Sequence, residues 1–159
     1  MCIRDRPRGE GLPIMKCLLQ RVRHASVAVE QAVVGEIERG LLVFVGVEPS
    51  DTDQSVSRMA QRILSYRIFP DEAGKMNLNV QQAGGAVLLV SQFTLAADTT
   101  TGNRPSFSTA APPEQAAHYC EGLAEALALD NVRVETGQFG ADMQVALVND
   151  GPVTFLLSV

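Results

Sequence analysis

Cysteine and histidine are scarce. The chain has three of one, Cys2, Cys17 and Cys120, and two of the other, His24 and His118. An odd number of thiols at these separations fits neither a disulfide framework nor a zinc pattern. Cys17 lies in an apolar, strand-like run and Cys120 on the apolar side of a helix-like stretch. Both read as buried small hydrophobes in a reducing, cytoplasmic setting. Neither histidine adjoins a serine or cysteine partner as a nucleophile signature would require, and His118 reads as a helix-surface residue. No HExxH, CxxC, P-loop or GxGxxG occurs, so neither a metal nor a cofactor is expected. Nor does any apolar run approach the roughly 20 residues needed to span a membrane. Basic excess is lacking too: the net charge is -5, whereas a domain that grips a long duplex is expected to be basic. That argues against DNA as a partner. It leaves open a short single-stranded end, where few phosphates are engaged.

What is present suits one domain. Hydrophobic residues make up 46% and charged residues 19% of 159, an ordinary globular composition with enough chain for a core. The first fourteen residues, MCIRDRPRGEGLPI, have no periodicity and no apolar core of the roughly 7–15 residues a secretory signal needs. They are expected to be a disordered extension or a sequence artefact, with the domain running over 15–159.

Along that domain, Lys16 to His24, Val27 to Val29 and Val33 to Ile37 read as strands. Glu30-Gln31 is a weak turn pair between the last two. The run LLVFVGV, Leu41 to Val47, and AVLLVSQ, Ala86 to Gln92, are continuous and apolar, as strands buried on both faces should be. Between them Val56, Met59, Ala60, Ile63 and Leu64 recur at helical spacing, with Ser50 or Asp51 as cap and an end near Phe69. DEAGKMNLN reads as a loop pivoting at Gly74. A second helix starts at Pro112-Pro113 with Ala116, Tyr119, Cys120, Leu123 and Leu127 as its stripe. Val132 to Glu135, Met143 to Val148 and Val153 to Val159 complete a set of strands. The expected fold class is α/β: a single, β-rich domain of mixed sheet with two main helices.

Two junctions stand out. Ser91-Gln92-Phe93-Thr94 follows the apolar run AVLLV directly, where a strand should end and where ligand crevices open. Its hydroxyl and amide groups can hold an ester or a water, and Phe93 offers a ring on which a base can stack. Solvated polar residues at a strand end, with a core Phe, explain the same pattern. The second junction is Asn149-Asp150-Gly151-Pro152. These are turn residues, yet they interrupt a strand-like run, and proline belongs at strand starts, edges or bulges. Glycine there lets a backbone carbonyl come close to a ligand.

SQFTLAADTTTGNRPSF, Ser91 to Phe107, and VNDGPVTF, Val148 to Phe155, resemble the two signature segments of the D-aminoacyl-tRNA deacylase family. So do MKCLLQRVRHASVAV, GKMNLNVQQAGG and TGQFGADMQV, and the likeness extends from Met15 to Val159. The resemblance implies a cytoplasmic homodimer that proofreads translation at the aminoacyl-tRNA 3′ end. It would remove D-amino acids, and glycine wrongly attached to alanine tRNA. The active site would lie at the subunit interface. A cis Gly151-Pro152 pair would reach into the neighbouring pocket as the chiral filter. Its carbonyls would occupy the place that an L side chain would need, where a D-residue or glycine offers only hydrogen.

By the same resemblance Arg21 holds that motif, Phe93 packs by the adenine, and Ser91 and Gln92 fix the substrate. Thr94 is either a nucleophile or a positioning residue. A threonine nucleophile needs an activating base, and none stands near it in sequence. The resemblance implies that the terminal adenosine 2′-hydroxyl assists hydrolysis while the protein positions the ester. The rival readings are a non-catalytic module that binds a tRNA end or a nucleotide, and a structural dimer whose Gly-Pro is only a turn.

Overall fold

The structure, a computed structural model, describes residues 15–159. The expectations for the leader and for Cys2 fall outside the described residues. β1 (Lys16–Val29) and β2 (Ala32–Ile37) form a hairpin whose turn residues Glu30 and Gln31 have φ of 50° and 69°. Two left-handed residues match the twist of a two-residue hairpin, so the weak pair adopts the turn geometry without the usual glycine. β1 is one continuous strand and not the two expected, because β8 (Gln144–Ser158) pairs along nearly its whole length.

β3 (Gly40–Gly46), β6 (Ala86–Ser91) and β7 (Val134–Thr136) run parallel, joined by crossovers through α1 (Asp53–Ser65) and α2 (Pro113–Ala128). The main sheet has the order β2-β1-β3-β6-β7, with β8 on the other edge of β1. It is therefore mixed, in a single α/β domain with two helices. Both faces of β3 and β6 are buried. Leu41, Val43, Val45, Val87 and Leu89 pack with the helices, while Leu42, Leu88 and Val90 meet Val22, Ala25, Val27 and Ile37 on the opposite side. This is why those two runs show no polar alternation. Each fully buried Leu or Val contributes about 1.5–3 kcal/mol.

α2 starts at Pro113, as expected, whereas α1 starts and stops at different residues from those expected. Thr52 caps α1 in a capping box with Ser55. Asp51 is buried and accepts a hydrogen bond from the Glu48 amide at 2.8 Å, so its carboxylate is committed to the preceding turn and does not cap the helix. α1 ends at Ser65, short of Phe69, because Tyr66 is extended and Ile68 and Phe69 enter the core. Phe69 then begins β4 (Phe69–Pro70), which pairs with β5 (Met76–Leu78) in a small separate ladder across the expected loop. The helical stripes hold: Val56, Met59, Ala60, Ile63 and Leu64 are buried on α1, and Ala116, Leu123 and Leu127 on α2.

The C-terminal segment is one strand with an excursion, not two strands with a turn. Pairing with β1 runs from Lys16↔Ser158 to Gln20↔Thr154, then resumes at Val22↔Asn149. Residues 150–153 thus bulge out opposite Arg21. A proline that cannot donate to a ladder is accommodated there.

Candidate active site

β6 delivers Ser91 to the end of the sheet, where Gln92 extends the pairing through its amide to the Val45 carbonyl at 2.8 Å. The chain then turns through a single 3₁₀ turn, Phe93–Ala96. The long loop that follows is pinned at several points. Asp98 and Ser106 exchange backbone hydrogen bonds of 2.7 and 2.9 Å. The Thr109 hydroxyl donates to the Ala96 carbonyl at 2.5 Å, and the Ala111 amide to the Val47 carbonyl at 2.9 Å. The loop therefore returns over the strand end and encloses a cavity of about 650 Å³, within the range of small-molecule sites.

Ser91, Gln92 and Phe93 line this cavity together with Phe107, Phe139 and Met143, and a row of small residues, Ala110, Ala111, Ala116, Gly140 and Ala141, completes its walls. The Phe93 and Phe107 rings lie 5.2 Å apart at 55°. They are 57% and 45% exposed, so much of each ring is open to a stacking partner. Thr94 is not part of the lining. It sits exposed on the 3₁₀ turn, where Gln92 Nε2 donates to its Oγ1. An amide cannot take the hydroxyl proton, so this contact orients Thr94 without activating it. Behind Ser91 lies Cys120, whose thiol is pushed up to about 11 by burial, opposed by a hydrogen bond with Ser91. Burial likewise raises Cys17. Both thiols are inert packing groups at neutral pH. His118 is exposed on α2 and lies 3.9 Å from the Asp53 carboxylate, away from the cavity lining.

The remaining expected residues form a second locus, on the β8 bulge. The Gly151-Pro152 peptide is cis, and both residues are exposed. Arg21 lies beneath them with its side chain only 11% exposed. Its Nε donates to the Asp150 carbonyl at 2.9 Å and its Nη1 to the Ile68 carbonyl at 2.8 Å. An ion pair of 3.5 Å to the Asp150 carboxylate adds to this. A Cβ placed on Gly151 would lie 2.4 Å from the Val153 nitrogen and 2.5 Å from its Cγ2, so the chain can double back here only with glycine. Within one chain the two loci are not brought together: β1 and β3 stand between β8 and β6. Neither Arg21, Gly151 nor Pro152 lines the cavity.

Sequence reasoning missed Phe107, Phe139 and Met143 as cavity residues. They fall inside the segments RPSF and TGQFGADMQV, but nothing in their spacing distinguishes a lining residue from a core one. Among the described residues no group of three or more metal-ligating side chains occurs, and no helix is long and apolar enough to cross a membrane.

Residues 18–158 match the family model described as D-Tyr-tRNA(Tyr) deacylase. A relative from Shewanella denitrificans, named D-aminoacyl-tRNA deacylase, is 58% identical over 145 residues, covering 91% of this chain and 100% of that protein. One of the same name from Cronobacter sakazakii is 59% identical over the same shares. Among solved structures, the c-Myc DNA Unwinding Element Binding Protein is similar with a TM-score of 0.84 at 40% identity, over 89% of this chain and 97% of that one. A probable eukaryotic D-amino acid tRNA deacylase shares the fold, with a TM-score of 0.78 at 16% identity over 92% and 100%.

Proposed function

The chain belongs to the D-Tyr-tRNA(Tyr) deacylase family, and we propose that it is a cytoplasmic D-aminoacyl-tRNA deacylase, a hydrolase of the ester at the tRNA 3′ end. The domain that does this is residues 15–159. It works as a homodimer in which the Gly151-Pro152 bulge of one subunit closes the Ser91–Phe93 cavity of the other. The observation that carries this reading is the separation of the two loci within one chain. A cavity lined by hydroxyl, amide and aromatic groups and a glycine-dependent backbone protrusion are both formed, and a second copy can unite them. The outward apolar residues of β8, Val148 and Leu156, are 42% and 56% exposed, which favours a covering partner.

In this site the terminal adenine stacks on Phe93, and Ser91 and Gln92 hold the ester. The bulge supplies a backbone wall where an L side chain would project. A D-residue, or glycine mischarged on alanine tRNA, presents hydrogen to that wall and is accepted. Thr94, oriented by an amide, is a positioning residue. The adenosine 2′-hydroxyl assists attack while the protein fixes geometry. An acidic chain suits this division of labour, since contact with a tRNA end engages few phosphates.

The exposed ring pair, and the name of the 40% identical solved structure, favour one alternative: a nucleic-acid-binding module without turnover. Incubation with D-tyrosyl-tRNA, L-tyrosyl-tRNA and glycyl-tRNA(Ala) decides between them. A deacylase releases D-tyrosine and glycine far faster than L-tyrosine. Binding of the RNA with all three esters left intact would establish the module instead.

A further inference from the structure

We propose that Asn149 is the positioning residue that sets the bulge as a wall of fixed shape. This rests on the chiral-filter reading above. Where β8 leaves the β1 ladder, residues 150–153 stand opposite Arg21 alone, so their backbone groups lose regular strand partners. Arg21 holds only the first of them, through the Asp150 carbonyl at 2.9 Å. Asn149 holds the neck. Its Oδ1 accepts from the Val153 amide at 3.2 Å, and its Nδ2 donates to the Val153 carbonyl at 3.0 Å. The same Nδ2 donates to the Arg21 carbonyl on β1 at 2.9 Å.

One half-buried side chain therefore joins the entry of the excursion to its exit and ties both to the neighbouring strand. It does so as a surrogate peptide group, offering a donor and an acceptor in one plane. Among side chains of that size only asparagine can do this: aspartate has the acceptor without the donors, and leucine has neither. With this tie Gly151 and Pro152 are fixed from both sides of the bulge. Without it the far side, at Val153, has lost the contact that sets where the wall stands.

The test compares the wild-type chain with Asn149→Asp and Asn149→Ala, measuring single-turnover release from D- and L-tyrosyl-tRNA alongside thermal unfolding. The expected result is a D-to-L ratio lowered by about tenfold or more, the scale of one net hydrogen bond. The D rate falls and the L rate rises. Asp is worse than Ala, because it turns an acceptor toward two carbonyls beside Asp150. A folded Asn149→Asp that keeps the wild-type ratio overturns the proposal. If the Asp variant fails to fold, the Ala variant carries the comparison. Amide exchange of Val153 in the wild-type protein gives a further reading: protection is expected, and exchange at the rate of an open amide refutes the tie. A wild-type enzyme without D/L preference would overturn the filter itself, a different outcome from variants that leave an existing preference untouched.

Discussion

Gly151→Ala tests the wall most sharply. The added Cβ would sit 2.4 Å from the Val153 nitrogen and 2.5 Å from Val153 Cγ2, where ordinary contact begins near 3.4 Å. The side-chain clash can be relieved by rotating Val153, but the backbone clash cannot. Main chain must move by roughly 1 Å, the difference between those distances. Overpacking of this kind costs about 1–3 kcal/mol out of a typical total of about 5–15. For a chain of this length that lowers Tm by about 2–12 °C, so the variant remains folded at 25 °C. The functional effect is larger, since a displacement of about 1 Å in a positioning element can cost around 100-fold. The D-to-L ratio of kcat/KM, measured on the two tyrosyl-tRNAs with the same enzyme stock, is expected to fall by one to two orders of magnitude, about 10- to 100-fold. Val153→Ala in the same background removes the Cγ2 contact and leaves the backbone clash, so it is expected to restore little. A folded Gly151→Ala with the wild-type ratio would refute the claim that main-chain position here judges handedness.

Thr94→Ala is expected to keep activity within about tenfold, the cost of one orienting hydrogen bond. Complete loss in a folded protein that still binds tRNA would make Thr94 a nucleophile. Arg21→Met removes two charge-assisted hydrogen bonds at about 1.5–3 kcal/mol each, so chemical denaturation should show a loss of about 3 kcal/mol or more together with relaxed discrimination; a loss under about 1 kcal/mol would mean the bulge stands without it. Cys120 has a raised pKa in the fold, from 9.0 to about 11, so its thiol stays protonated at neutral pH. The folded state then holds a proton that the unfolded chain has released, and stability should decline as pH rises from 9 toward 11. Alkylation of Cys120 in the native protein should be slow near neutrality and speed up over that same range, whereas rapid labelling at neutral pH would show an open, reactive thiol.

The buried parallel strands were legible because a run such as LLVFVGV must be covered on both faces, and the helices because their stripes recur every three to four residues. Boundaries were less so. Asp51 and Thr52 are both good capping residues, and the choice fell to Thr52 because the buried Asp51 carboxylate is taken by the Glu48 amide in the preceding turn. The end of α1 at Ser65 depends on Ile68 and Phe69 finding core positions, and Arg21 accepts that arrangement by bonding the Ile68 carbonyl. The β8 excursion read as a break because Gly-Pro punctuates a sequence strongly. Continuity comes from β1, distant in sequence, which pairs on both sides of it. For the site, Ser91, Gln92 and Phe93 were visible as polar and aromatic groups at a strand end. Asn149 was passed over as a turn residue, since its three hydrogen bonds reach partners that only the folded register brings near.

In the proposed dimer one chain's backbone completes another chain's site. A crystal structure of the protein with a non-hydrolysable D-tyrosyl amide of adenosine measures this directly. The expected result is a dimer in which Gly151 and Pro152 of the partner subunit face the Cα of the ligand, with the adenine against Phe93 and the amide near Ser91 and Gln92. A ligand bound in that cavity with the bulge of every subunit turned to solvent would contradict it.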